Sequence, residues 1–270
     1  MKKLTIVTVT YNSSAVIGRL LASLSPPGAG IVVVDNGSLD GSQAIARGFP
    51  GVQVMECGNI GYGRAANVGF RQVKTPYVLL VNPDVEIAWD SVEQMVACMD
   101  ADPGLGIVGA NMDGAPGEGF RPVEWIVGAL MLIRMEALAK VGMFDENIFL
   151  FYEETDLCRR FVQAGWKLGV LQSARAEHEA GTSSPSSLKV LKIKAWHSAW
   201  SKIYYTRKHF ARGRMAHKAV SKIATNLMRI CKGLLTADFR WVVKNFYELL
   251  GVLAYMTGMG AFKNGVGRLT

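Results

Sequence analysis

The feature that most narrows the fold of this 270-residue chain is a series of short, unbroken apolar runs, most of them ending in a polar turn. Leu4–Val9 leads into Tyr11-Asn12-Ser13-Ser14, Ile31–Val34 into Asp35-Asn36-Gly37-Ser38, and Tyr77–Val81 into Asn82-Pro83-Asp84; Val52–Met55 is a further run. A strand with one wet face alternates polar and apolar residues, whereas a strand apolar throughout is covered on both faces, as in a parallel sheet. The intervening stretches have helical spacing. Val16, Ile17, Leu20, Leu21 and Leu24 share one face before Pro26-Pro27-Gly28; residues 40–48 and Gly63–Val73 form two more helices. The pattern predicts an α/β fold with a mostly parallel sheet flanked by helices. Ligands on such sheets sit beyond the carboxyl ends of the strands, where the three polar clusters fall.

Further on, residues 102–124 are rich in Gly, Pro and Asp and read as a loop region. Trp125–Ile133 is an apolar strand or buried segment, Met135–Val141 a short helix, Glu153–Ala164 a helix stopped by Gly165, and Leu168–Leu171 a short strand. Residues 181–187 read as a linker. Charge divides at the same place. Residues 1–185 hold 14 Lys/Arg against 20 Asp/Glu, net −6, and residues 186–270 hold 16 against Asp238 and Glu248, net +14. The chain therefore reads as a catalytic α/β domain over 1–185 and a basic helical extension over 186–270.

The extension requires an anionic partner, phospholipid or nucleic acid. No nucleic-acid motif accompanies the charge, so nucleic acid is not expected. Trp196, Trp200, Tyr204, Tyr205 and Phe210 interleave with lysines and arginines, and Leu249–Phe262 is apolar for 14 residues, short of the roughly 20 that span a bilayer. The expectation is a segment lying on an anionic membrane surface, with an oligomer interface as the alternative. Cys57, Cys98, Cys158 and Cys231 are widely spaced, which reads as reduced thiols with no disulfide framework or zinc site. The apolar run at the N-terminus stops at Tyr11, too early for a signal peptide. A cytoplasmic protein at the inner face of the membrane follows as the expectation.

Three constellations bear chemistry, and each also fits a plain structural role. Asp84, at the end of a buried strand, suits a hard divalent cation, Mg²⁺ or Mn²⁺; Asn-Pro-Asp is equally ordinary turn chemistry. Glu153 and Glu154 open a helix, where acidic residues favour the macrodipole, yet a carboxylate in a cleft also serves as a general base. His178, flanked by Glu177 and Glu179, completes a metal site with Asp84 or is simply a solvated histidine. Gly61-Tyr62-Gly63-Arg64-Ala65-Ala66 matches a dinucleotide-binding fingerprint but follows the third strand, and the first strand's turn has no glycine.

Taken together, these residues resemble the family 2 glycosyltransferases of the GT-A (Rossmann-like) fold, in particular their bacterial rhamnosyltransferase-like branch. Val7-Thr8-Val9-Thr10-Tyr11-Asn12 resembles the family's first strand and nucleotide-contacting turn, and Val33 to Gly41 its second-strand motif, in which Asp35, followed by Asn36, contacts a pyrimidine base. Asn59-Ile60-Gly61-Tyr62-Gly63, with Asn67 and Gly69, resembles the wall of the donor site. Asn82-Pro83-Asp84 stands where the family has its metal-binding motif, of which only the last Asp is kept in this branch. The segment from Trp125 through Gly128 and Ala129 to Glu146 resembles the lining of the sugar and acceptor pocket; Phe149 to Leu157 resembles the segment of the catalytic base; and His178, with Gly181 and Ser183, resembles a metal-proximal motif. Glu154 stands where the family usually has Asp, and Glu124 and Val127 where the branch has Asp and Ser. The resemblance implies a metal-dependent, inverting transfer of a sugar, rhamnose from dTDP-rhamnose or another dTDP- or UDP-sugar, to a lipid-linked or glycan acceptor in cell-envelope synthesis. Asp84 and His178 would hold the metal and Glu154 or Glu153 would be the base. A non-catalytic nucleotide-sugar-binding scaffold on the same fold is the alternative.

Overall fold

The structure, a computed structural model, describes residues 3–24, 29–114, 117–179 and 187–262. They fall into two compact units, Met1–Asp145 with Glu154–Ser184, and Glu146–Glu153 with Pro185–Thr270. In the first unit β1 (Leu4–Thr10), α1 (Ile17–Ser23), β2 (Gly30–Asp35), α2 (Ser42–Arg47), β3 (Val52–Glu56), α3 (Tyr62–Phe70) and β4 (Tyr77–Val81) alternate as the apolar runs predict. Strands β3, β2, β1 and β4 are neighbours in that order and all parallel. Successive residues of each strand feed opposite cores. Leu4, Ile6, Ile31, Val33, Leu79 and Val81 pack with α1, α2 and α4 (Trp89–Ala101). Val7, Val9, Val32, Val34, Val78 and Leu80 pack with α3, α5 (Met135–Val141) and α6 (Glu153–Gln163). Two-sided burial is why β1, β2 and β4 carry no charged residue until their carboxyl ends, whereas β3, at the edge, exposes Gln53 and Glu56.

Beyond β4 the sheet is mixed. β8 (Leu130–Arg134) runs antiparallel to both β4 and β6 (Leu105–Asn111). β6 lies inside the stretch whose glycines suggested a loop, and that expectation is corrected. A Cβ on Gly106 would lie 2.6 Å from the Phe161 ring, and one on Gly109 2.8 Å from Ile126. These glycines let large side chains pack directly on the strand. β9 (Lys167–His178) is three times longer than the four residues expected. It pairs in parallel with β6 through Arg175, with a bulge at Ala110/Asn111, and then antiparallel with β5 (Val85–Ile87). A short β7 (Phe120–Pro122) covers its first half.

The second unit consists of α7 (Leu188–His209), α8 (Arg212–Leu235), α9 (Phe239–Met256) and the segment 146–153. Ser187 caps α7, accepting from the Val190 N–H at 3.2 Å, and Asp238 caps α9, accepting from the Trp241 N–H at 2.9 Å. Trp196, Trp200 and Tyr204, one turn apart, form a stacked ladder. Trp196 and Trp200 are buried in the bundle core, so these two aromatics serve the packing of the bundle, while Tyr204 and Tyr205 are half-buried. Among the described residues no helix is long and apolar enough to cross a membrane.

His197 is wholly buried, stacked 4.3 Å from the Phe149 ring, and neither ring nitrogen has a hydrogen-bond partner among the described residues. Desolvation pushes its pKa down to about 3. The unfolded chain takes up this proton near the ordinary histidine value and the folded chain does not. Stability from this site is therefore complete above about pH 6.5 and falls as the pH drops toward 3, by about 1.4 kcal/mol per pH unit. Chemical denaturation of wild type and His197→Leu between pH 7 and 5 checks this: the variant's stability is expected to fall less steeply by that amount.

Candidate active site

The carboxyl ends of β1 and β2 are tied by one carboxylate. Asp35, 2% exposed, accepts from the Thr10 hydroxyl at 3.0 Å and from the backbone N–H groups of Gly37 and Ser38 at 3.1 and 2.9 Å. The Asn36 N–H donates to the Thr10 carbonyl at 2.8 Å. Asn12 sits in the left-handed region (φ 53°), which Asn tolerates better than most residues. Its N–H donates to Ser38 Oγ at 2.9 Å and its Oδ1 accepts from the Leu39 N–H at 2.8 Å. The first two turns are thus one interlocked loop, and Asp35 is the group around which it folds.

The same logic extends to the third turn. Asn36 Oδ1 accepts from the Ile60 N–H at 2.9 Å, and its amide donates to Asn59 Oδ1 at 3.4 Å. Tyr11, half-buried, is hydrogen-bonded to Asn59 and Asn12, and burial raises its phenol above the ordinary range. After Gly61, Tyr62 begins α3 and crosses the rim: its hydroxyl donates to Asn82 Oδ1 at 2.8 Å and lies 3.3 Å from the Gly128 carbonyl. The Asn82 N–H donates to the Ala129 carbonyl at 2.8 Å.

Asp84, 3% exposed, follows directly, and β5–β9 pairing brings His178 to it: Nε2 of His178 is 3.3 Å from Asp84 Oδ1. The Glu179 N–H donates to the Asp84 carbonyl at 3.1 Å. A carboxylate oxygen and an imidazole nitrogen at this spacing suit one divalent cation. Among the described residues no group of three or more His, Cys, Asp or Glu exists that would cage a metal. A cation held by this pair would have to complete its shell with phosphate oxygens and water, as Mg²⁺ does.

Glu154, half-buried in the first turn of α6, lies against Gly128: a Cβ there would come within 3.1 Å of Glu154 Cβ and 3.2 Å of its Cγ. Burial raises the Glu154 carboxyl above its ordinary value, opposed by hydrogen bonds from backbone N–H groups, the Thr155 hydroxyl and Trp125. Trp125 itself is 48% exposed beside this carboxylate. The next turn of α6 is held by Asp156, wholly buried, paired at 2.8 Å with Arg160, which donates to the carbonyls of Val141, Gly142 and Met143.

Three of the expected site residues are buried. Asn67 is 1% exposed; its amide donates to the Phe144 carbonyl and accepts from the Phe144 N–H, both at 3.0 Å. It clamps α3 to the 142–145 turn. Ala129 belongs to the core, so only its backbone reaches the rim. Glu153 is 6% exposed, less accessible than its neighbour. Gly181 and Ser183 lie outside the described residues. Conversely, the bridging role of Tyr62 and the left-handed pair Phe151 (φ 66°) and Tyr152 (φ 71°) just before α6 carry no sequence signal. Such residues are strained and cluster where geometry matters.

The chain belongs to glycosyl transferase family 2, whose model matches residues 5–161, and it is a glycosyltransferase. It is 27% identical over 237 residues, 67% of this chain and 77% of the relative, to the N-acetylglucosaminyl-diphospho-decaprenol L-rhamnosyltransferase of Mycobacterium tuberculosis. It is 23% identical to the rhamnosyltransferase WbbL of Escherichia coli K12, covering 77% of this chain and 95% of that one. The mannosyltransferase PcManGT of Pyrobaculum calidifontis, solved with GDP-Man and Mn²⁺, shares the fold with a TM-score of 0.60 at 16% identity, covering 94% of this chain and 87% of that one.

Gly128 is the packing surface for Glu154, so Gly128→Ala must displace that carboxylate by a few tenths of an ångström. Sugar transfer is expected to slow by about 10- to 100-fold with the unfolding transition little changed. Steady-state kinetics beside a thermal melt check both.

Proposed function

We propose that this chain transfers a sugar, rhamnose by its relatives, from a dTDP- or UDP-linked donor to a hydroxyl of a lipid-linked acceptor in cell-envelope glycan synthesis. The observation that carries the proposal is the chain of contacts from Asp84 to Glu154. Tyr62 joins Asn82, two residues before Asp84, to Gly128, and Gly128 abuts Glu154. Such a rim holds a leaving group and an acceptor base in one fixed relation. The interlocked loops of Thr10–Asn12, Asp35–Ser38 and Asn59–Tyr62 are suited to seat the nucleoside. Asp84 and His178 would hold a divalent cation that neutralises the diphosphate as it departs. Glu154 is the favoured base: its raised affinity for a proton and its partial exposure suit removal of the acceptor hydroxyl's proton, with Glu153 in reserve. One base and no partner nucleophile correspond to direct displacement and inversion.

The M. tuberculosis relative's acceptor is a diphospho-decaprenol, and a long prenyl chain stays in a bilayer. Action at the inner membrane face, through the cationic region 186–270, agrees with that acceptor.

Calorimetric titration of dTDP-rhamnose, UDP-sugars and GDP-sugars with and without Mn²⁺ tests the donor site. Metal-dependent binding of a pyrimidine nucleotide-sugar, weakened at least tenfold in Asp84→Asn, is expected; preference for GDP-sugars or metal-independent binding would overturn the assignment. The base is tested by a pH–rate profile. Because Glu154 must be ionised and burial raises its pKa, kcat/KM should fall on acidification at a pH above the ordinary Glu value of about 4.3. Glu154→Gln should reduce the rate by about 10²-fold or more and remove that limb.

A further inference from the structure

The second unit exposes a compact apolar surface at the turn joining α8 to α9. Within eight residues, Leu234, Leu235, Phe239 and Trp241 are 66%, 88%, 67% and 37% exposed. None is explained by the bundle core, which is built from Trp196, Trp200, Ile203, Val252 and Ala254. The turn is shaped, not frayed: Ala237 takes a left-handed φ of 53°, the Asp238 N–H donates to the Gly233 carbonyl at 2.9 Å, and Asp238 caps α9.

Cations surround this apolar tip. Arg229 and Lys232 close α8, Arg240 and Lys244 open α9, and Arg229 and Lys244 lie 5.7 and 5.9 Å from the Trp241 ring centre. The two acids of region 186–270 do not offset them. Asp238 is engaged as the α9 cap, and Glu248 is buried against Lys222. Projecting apolar side chains, a tryptophan beside them and a basic rim match the layers of an anionic bilayer surface: acyl boundary, interface and phosphates. A second copy of this chain would bring like charge against like charge.

We propose that the α8–α9 turn is the element that enters an anionic bilayer surface, an inference that rests on the membrane reading above and assigns its residues. Leu235 and Phe239 insert; Lys232, Arg240 and their neighbours stay at the phosphates.

The test is co-sedimentation of the full chain with vesicles of phosphatidylglycerol and phosphatidylcholine, and with phosphatidylcholine alone. Wild type is expected to bind the anionic vesicles preferentially. The double variant Leu235→Glu/Phe239→Glu should lose about tenfold or more in partitioning, while Val220→Glu, exposed elsewhere on α8, should lose little. Nucleotide-sugar titration of the double variant should match wild type, which shows the donor domain intact. Equal vesicle binding by wild type and double variant, or equal loss in Val220→Glu, overturns the assignment while leaving membrane association standing. No binding by wild type overturns both, and the titration still reports on the transferase reading. Self-association of wild type that the double variant abolishes, without vesicle binding, would make the turn an interface between copies and overturn the proposal.

Discussion

Burial of β2, β1 and β4 on both faces is the constraint from which the rest of this structure follows. It leaves no room for polar side chains along the strands, so the polar groups gather at the carboxyl edge, where each strand leaves the core. There they also satisfy the loop backbone, and the result is a rim in which organising and binding groups are the same residues. Asp35 shows the economy of this arrangement. Its carboxylate closes its own turn and reaches across to Thr10, so its removal would loosen two loops at once.

The parallel half of the sheet was legible because apolar runs and turn residues agree there, level by level. The other half was not. β6 was read as loop because Gly106 and Gly109 were taken for turn signals, when the space above them is filled by Phe161 and Ile126. A glycine that frees the backbone and a glycine that admits a neighbour look identical in one dimension. The approach of His178 to Asp84 was anticipated from the sequence. The bonds of Asn67 to the Phe144 backbone were not, because an asparagine that clamps backbone looks like any other in sequence. In the helical extension composition showed the charge, but Trp196 and Trp200 of α7 lie in the core, and exposed apolar side chains are on α8 and α9.

The two sides of the rim use opposite electrostatic means. Around Asp84 an imidazole stands beside the carboxylate. Around Glu154 desolvation raises the carboxyl's hold on a proton. The two carboxylates sit on separate elements, and Tyr62 and Gly128 bridge the rim between them.

The partner exchange in β9 has a further consequence. The strand changes neighbours between Arg175 and Ala176, so the Asn111–Arg175 pair and three rungs with β5 set the register of His178. Side chains alternate along a strand, and a slip of one residue would turn His178 to the other side of the sheet and present a glutamate in its place. Strand registry here acts as an alignment tolerance for the chemistry. Val85, Ile87, Ala174 and Ala176 of this same edge belong to the core, so the registry is held by packing as well as by backbone rungs.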